Sequence, residues 1–287
     1  MDLRPTPSYR EAGGGPVVIC LHASGSSSRQ WLPLMEYLGP RYHVIAVDTY
    51  GSGKSPVWLA KRPLTLSDEV ALLEPVLAQA HKQGPVMLVG HSYGAAVALV
   101  AALEHPEKVH ALAVYEPTLF SLVDQETPSP NAVDGFRATY RETATLVDAG
   151  DAPAAAKCFV DYWSGSGAWD QMPEARQGQV AASMANIRNW GHACLKEHTP
   201  LSAFTWVGAP VLFMMGESSP ASSRAVGSLL TRALPRTQVI EFEDMGHMGP
   251  VTNPDRVNQV ISRFLEWHRP FHRNDWQRLM GIAPATS

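Results

Sequence analysis

Cysteine is scarce in this chain. Among its 287 residues only Cys20, Cys158 and Cys194 carry a thiol, far apart and with no CxxC pair. An odd, scattered set argues against a disulfide framework or a zinc knuckle and suits a reducing compartment. Charge is sparse too: 17% of residues are charged, with 23 Lys and Arg against 27 Asp and Glu, a formal net charge of −4. Without a dense Lys/Arg block there is no electrostatic footprint for nucleic acid. No apolar run approaches the ~20 residues of a membrane span. The opening MDLRPTPSYREAGGG lacks the basic-then-apolar order of a secretory leader. The expectation is a cytoplasmic protein with neither a membrane nor a nucleic-acid partner. Its eleven histidines form no HxxxH pair on a predicted helix, so no metal and no cofactor are expected.

What the chain does have is apolar residues in two alternating periods. Hydrophobic residues make up 45% of it, enough for one large domain with an ample core. PVVICLH (Pro16–His22), YHVIAVD (Tyr42–Asp48), GPVMLVG (Gly84–Gly90) and VHALAVYEP (Val109–Pro117) are short apolar runs predicted as buried strands. Between them QWLPLMEYL, LSDEVALLEPVLAQAHK and GAAVALVAALEHP have helical spacing. Ser67 is the expected N-cap of the second, and Pro106 stops the third. This alternation implies an α/β fold: a doubly wound, mostly parallel sheet with helices on both faces. From Thr118 to Thr205 strand signals give way to Ala-rich helical segments punctuated by aromatics, before APVLFMMG, SRAVGSLLTRALP, TQVIEFE and DRVNQVISRFLEWH resume the alternation. Residues 1–117 and 206–287 are therefore expected to form the core, and 118–205 a helical cap inserted into it. The final RPFHRNDWQRLMGIAPATS reads as an appendage.

The motif that carries chemistry is Gly90-His91-Ser92-Tyr93-Gly94, a G-x-S-x-G between an apolar strand and an Ala-rich helix. A strand-to-helix turn this sharp forces the serine into a strained conformation, and only glycine leaves room on either side. The serine hydroxyl is thereby held above the C-terminal edge of the sheet, where the helix N-terminus favours developing negative charge. A second Gly-rich segment, GSGKS (Gly51–Ser55), resembles a phosphate loop only superficially. That loop requires a glycine five residues before Gly53, where this chain has Asp48. ATP binding is excluded, and Asp48 with its turn is read as structural.

Together these segments resemble the α/β-hydrolase fold family, over about Pro16 to Trp267. LHASGSSSRQW resembles its His-Gly-x oxyanion loop with Ala23 in place of the glycine, DTYGSGKS its D-x-x-G-x-G-x-S turn, and DMGHMGPVTNPDRVNQVISRFL its histidine loop and last helix. The resemblance implies a Ser92 nucleophile and a His247 base, with His22 and His91 buttressing loops. An imidazole titrates near neutrality, so it can take the serine proton and return it to the leaving group.

The acid is less direct. The family's usual aspartate, three residues past the glycine of PVLFMMG, is here Ser219. One strand earlier LAVYEP ends in Glu116, whose carboxylate would enter the same crevice, an arrangement similar to haloalkane dehalogenases with a glutamate in that place. Glu116 is the expected acid. Glu217 is the rival, Asp244 is too near His247 in sequence, and a Ser–His dyad completed by water is the remaining alternative. The oxyanion is expected to meet the backbone N–H groups of Tyr93 and Ser24, with Ala23 the alternative to Ser24.

Aromatics of the insertion, Trp163, Trp169 and Trp190 foremost, are expected to line an apolar pocket of modest volume. The function so implied is that of a serine hydrolase acting through an acyl-enzyme on a carboxylic ester of a small, largely apolar molecule. C–C bond hydrolysis of a ring-cleavage product and ligand binding without catalysis are the alternatives. An aspartate nucleophile is absent, so dehalogenase and epoxide hydrolase chemistry is excluded.

Overall fold

The computed structural model describes residues 5–270. Seven strands form one sheet: β1 (Tyr9–Ala12), β2 (Val17–Leu21), β3 (His43–Val47), β4 (Val86–His91), β5 (Val109–Tyr115), β6 (Val211–Gly216) and β7 (Thr237–Phe242). Their order is β1-β3-β2-β4-β5-β6-β7. β1 runs antiparallel on β3, and all other pairs are parallel. The predicted strands are present. β1 was not expected, because YREA is exposed at every position and shows no apolar alternation. Backbone pairing on β3 alone makes it a strand.

Every residue of β2 and β4 is buried, which requires helices on both faces. Val17, Ile19 and Leu21 pack in one core with residues of α2 (Leu66–His81), α3 (Tyr93–Glu104) and α9 (Ala221–Ala233). Val18 and Cys20 pack in the other with α1 (Leu32–Leu38) and α11 (Pro254–Trp267). A period of two along one strand thus feeds two separate cores. α2 is capped by Thr65, not Ser67: the Thr65 side chain accepts from the Asp68 N–H, and the Asp68 carboxylate accepts from the Thr65 N–H. That reciprocal pair satisfies two otherwise orphaned donors, whereas Ser67 sits two residues too late, inside the first turn, and donates to Glu104.

No strand lies between β5 and β6. The chain there forms α4 (Ser121–Glu126), α5 (Asp134–Asp148), α6 (Ala152–Ser164), α7 (Glu174–Ser183) and α8 (Ile187–Leu195). These helices are tied to the sheet's C-terminal edge at several points. Asn186 Nδ2 donates to the Gly51 carbonyl at 2.8 Å, and the Tyr162 and Ser222 hydroxyls meet at 2.8 Å. α10 (Gly249–Thr252) is a single turn before α11. Among the described residues no helix is long and apolar enough to cross a membrane. From residue 271 the expected C-terminal appendage lies outside the described residues.

Candidate active site

β4 ends at His91 and α3 begins at Tyr93, which leaves Ser92 alone to redirect the chain. It does so at φ 56° and ψ −116°, a conformation costing an L-residue on the order of 1–3 kcal/mol. The flanking glycines show why no other residue fits. A Cβ on Gly90 would stand 2.5 Å from the Ala95 Cα, and one on Gly94 2.3 Å from the Leu21 carbonyl oxygen.

The neighbouring strand turns at the same level. His91 pairs with Tyr115 in the parallel ladder, so the residues that follow, Ser92 and Glu116, leave the sheet side by side. Their N–H groups continue the ladder, Ser92 donating to the Tyr115 carbonyl at 2.8 Å and Glu116 to the Met214 carbonyl at 3.0 Å. Glu116 also has a positive φ, 45°, which swings its side chain off the strand direction. The third member, His247, follows β7 after the turn at Asp244, Met245 and Gly246. Tyr115 fixes that turn by donating its hydroxyl to the Gly246 carbonyl at 2.8 Å.

The three side chains meet. Ser92 Oγ is 2.8 Å from His247 Nε2, and His247 Nδ1 is 2.6 Å from Glu116 Oε2. A carboxylate only accepts, so Nδ1 carries the ring proton and Nε2 is free to accept from the serine hydroxyl. All three residues are at most 2% exposed, so this charge-assisted contact operates in a medium of low dielectric constant. The second carboxylate oxygen, Oε1, accepts from the Gly216 N–H at 2.7 Å and the Ser219 hydroxyl at 2.5 Å. Ser219, at the position where an aspartate was looked for, thus holds the carboxylate that replaces it. Ser223 Oγ adds a longer contact to His247 Nδ1, 3.4 Å. Glu217 and Asp244 are exposed and take no part. Nothing in the sequence marked Ser219 or Ser223 as a brace for these groups, because serines abound in ESSPASSR.

Two backbone N–H groups near this centre have no protein acceptor among the described residues: that of Tyr93, which follows Ser92 and is first in α3, and that of Ser24. The Ala23 N–H is occupied, donating to Gln30 Oε1 at 3.1 Å. Gln30 Nε2 in turn donates to His91 Nδ1 at 3.1 Å, and His91 Nε2 donates to the His247 carbonyl at 2.8 Å. This chain of bonds locks the Ala23–Ser24 loop to the histidine loop. It needs His91 neutral, and burial, reinforced by the nearby His247, holds the His91 pKa well below the ordinary value. His22 is also neutral, its pKa lowered by burial. Its Nδ1–H donates to the Ala23 carbonyl at 2.7 Å, while Nε2 accepts from the Thr49 N–H at 3.2 Å. Asp48 accepts from the Ser28 N–H at 2.6 Å and shapes the adjoining turn.

A cavity with about 50 Å³ of free space adjoins Ser92 and His247, room for on the order of two water molecules. Ser24, Phe159, Trp163, Met172, Arg176 and Met248 contribute to its wall. Of the three tryptophans expected there, Trp163 lines it and lies over the His247 ring, centroids 4.0 Å apart and planes 28° from parallel. Trp169 and Trp190 do not reach it. Trp190 packs behind Phe159, centroids 6.3 Å apart, and Trp169 is held in the loop after α6, where its N–H donates to Asp161 Oδ1. Both are buried within the insertion, the commoner fate of aromatics in a helical layer. Arg176 was not anticipated, since one cation in a polar helix carries no pattern.

Beneath Tyr93 lies a second buried carboxyl, Glu69 of α2. It accepts from the Tyr93 hydroxyl at 3.0 Å and the Tyr50 N–H at 3.1 Å. Burial, against those two hydrogen bonds, pushes its pKa from 4.5 up to about 7. Between these values the folded protein retains a proton that the unfolded chain has released, so stability falls as pH rises through that window, by about 3 kcal/mol in all. Replacing Glu69 with Gln removes this titration. Thermal melts from pH 5 to pH 8 should show the variant losing about 5 °C less than wild type; parallel curves would contradict the assignment.

A mostly parallel sheet that lifts a serine into a strained strand-to-helix turn, with a histidine delivered after its last strand, defines the α/β-hydrolase architecture. The chain belongs to the α/β hydrolase fold family, whose profile matches residues 16–254. It is 27% identical over 278 residues to a 2-(acetamidomethylene)succinate hydrolase of Mesorhizobium japonicum, with 92% of each chain covered. It is 30% identical over 263 residues to the lipase LipV of Mycobacterium tuberculosis, covering 88% of this chain and 94% of the lipase. Among solved structures, an α/β hydrolase from Sphaerobacter thermophilus superposes with a TM-score of 0.70 at 25% identity, over 90% of this chain and 96% of its own. The chain is an enzyme of the α/β-hydrolase class.

Proposed function

We propose that the protein is a serine hydrolase that cleaves a carboxylic ester of a small molecule through an acyl-enzyme on Ser92. The observation that carries this reading is the continuous chain Ser92 Oγ–His247–Glu116, with links of 2.8 and 2.6 Å. As Ser92 Oγ attacks the ester carbonyl, Nε2 of His247 takes its proton, and Glu116 stabilises the imidazolium and keeps its orientation. The oxyanion that forms accepts from the N–H groups of Tyr93 and Ser24, which are unspent and preorganised. His247 then protonates the departing alcohol. A water molecule deprotonated by the same nitrogen releases the acid and regenerates Ser92. The insertion acts as a cap. Trp163 closes one face of the His247 ring, and the confined cavity favours a short acyl chain.

A fluorophosphonate probe is expected to label Ser92 stoichiometrically, and short p-nitrophenyl esters to be hydrolysed with a burst of one p-nitrophenol per protein. Turnover of a ring-cleavage dienone without ester turnover would move the activity to C–C bonds. An unlabelled Ser92 beside tight ligand binding would make the protein a receptor.

A further inference from the structure

Two cavities share Arg176. It lies on the wall of the cavity at Ser92 and also in an outer cleft lined by Arg29, Ser52, Gln179 and Ser183. Neither lining contains an aspartate or glutamate, although the chain as a whole is acidic. Asp48, the acid of this neighbourhood, is buried and committed to the Ser28 N–H.

The guanidinium itself is poorly satisfied. Arg176 is half-buried, and burial lowers its pKa from the ordinary arginine value. It makes one long hydrogen bond, 3.5 Å, to Gln179 Oε1, and no ion pair among the described residues. It also occupies the first turn of the ten-residue helix α7, where a cation opposes the helix dipole. Taking a charge partly out of water without a counter-charge is unfavourable. Among the described residues no ion pair offsets that, whereas an anionic ligand in the cavity would. A planar fork of donors suits a carboxylate best.

We propose that Arg176 is a specificity-determining residue whose guanidinium binds a free carboxylate of the substrate, so that the preferred substrate is a monoester of a small dicarboxylic acid. This rests on the ester-hydrolase reading of Ser92. Arg29, at the outer cleft, adds a second positive charge along the approach and favours entry of anions.

The test compares monoethyl succinate with ethyl succinamate, its amide counterpart, in wild type, Arg176→Gln and Arg176→Lys. Wild-type kcat/KM is expected to favour the acid by about 30-fold or more, mostly through KM. Arg176→Gln should bring that ratio close to one, and Arg176→Lys should keep part of it, because charge remains but the fork is lost. Equal wild-type values, or equal losses on both substrates in Arg176→Gln, would overturn the proposal.

Calorimetry with succinate against succinamide reads the same site without turnover. Succinate should bind wild type at least about tenfold more tightly than succinamide, and Arg176→Gln should erase the difference; no preference in wild type counts against Arg176. Fluorophosphonate labelling of Ser92 in each variant reports whether the nucleophile and the fold are intact. An unlabelled wild type strikes the hydrolase reading, not the carboxylate site, whereas a variant that alone fails to label is misfolded and its test passes to Arg176→Lys.

Discussion

In Glu116→Gln, kcat falls by about 10³- to 10⁴-fold, while melting temperature and fluorophosphonate-accessible structure stay near wild type. The reason is the tautomer. Gly216 N–H and Ser219 O–H both donate to Oε1 of Glu116, and in the variant the amide oxygen answers those two donors. The amide NH₂ then faces His247 Nδ1, which must accept and so loses its proton to Nε2. A protonated Nε2 cannot receive a proton from Ser92, although every heavy atom has kept its place. Turnover within tenfold of wild type would remove Glu116 from the mechanism and leave the dyad with water.

A companion variant asks whether the acid can be moved one strand on, to the position after β6. Ser219 already touches the Glu116 carboxylate, and β5 and β6 are adjacent. Glu116→Ala combined with Ser219→Asp should therefore regain at least about tenfold over Glu116→Ala alone.

The parts of this site that were legible in the sequence are those where backbone sterics dictate residue type. Gly90 and Gly94 must lack a Cβ because Ala95 and the Leu21 carbonyl approach so closely, so the elbow is written in the chain as a pattern. The parallel strands were legible for a related reason: burial on both faces demands unbroken apolar runs. Glu116 could be placed in the crevice by elimination plus topology, because β5 is one of the two strands that flank the nucleophile strand β4.

What stayed hidden depends on side chains meeting across long sequence separations. Gln30 joins the Ala23–Ser24 loop to His91, and Ser219 and Ser223 contact Glu116 and His247, yet each is a common residue in an ordinary loop or helix. The same limit explains the tryptophans. Trp163, Trp169 and Trp190 are alike in one dimension, and only the packing of α6 onto the histidine loop brings the first of them over His247. β1 escaped because its strand character comes from its partner, not from its own residues.

Ser92→Ala should lower kcat by about 10⁶-fold, and adding Glu116→Gln to it should change kcat by less than about threefold. If the two residues acted independently, their effects would multiply, and the double variant would lie another three or four decades lower. On the proposed mechanism they do not act independently, because there Glu116 works only by preparing His247 to receive the Ser92 proton. Once Oγ is gone there is no proton to receive, and the orientation of the imidazole no longer matters. The rate that survives belongs to the unspent donors at Tyr93 and Ser24, which both variants leave in place. Active-site titration with the fluorophosphonate excludes wild-type contamination at this level. A double variant about 10³-fold slower than Ser92→Ala would mean that Glu116 serves a second path, most simply one in which His247 activates water directly on the ester.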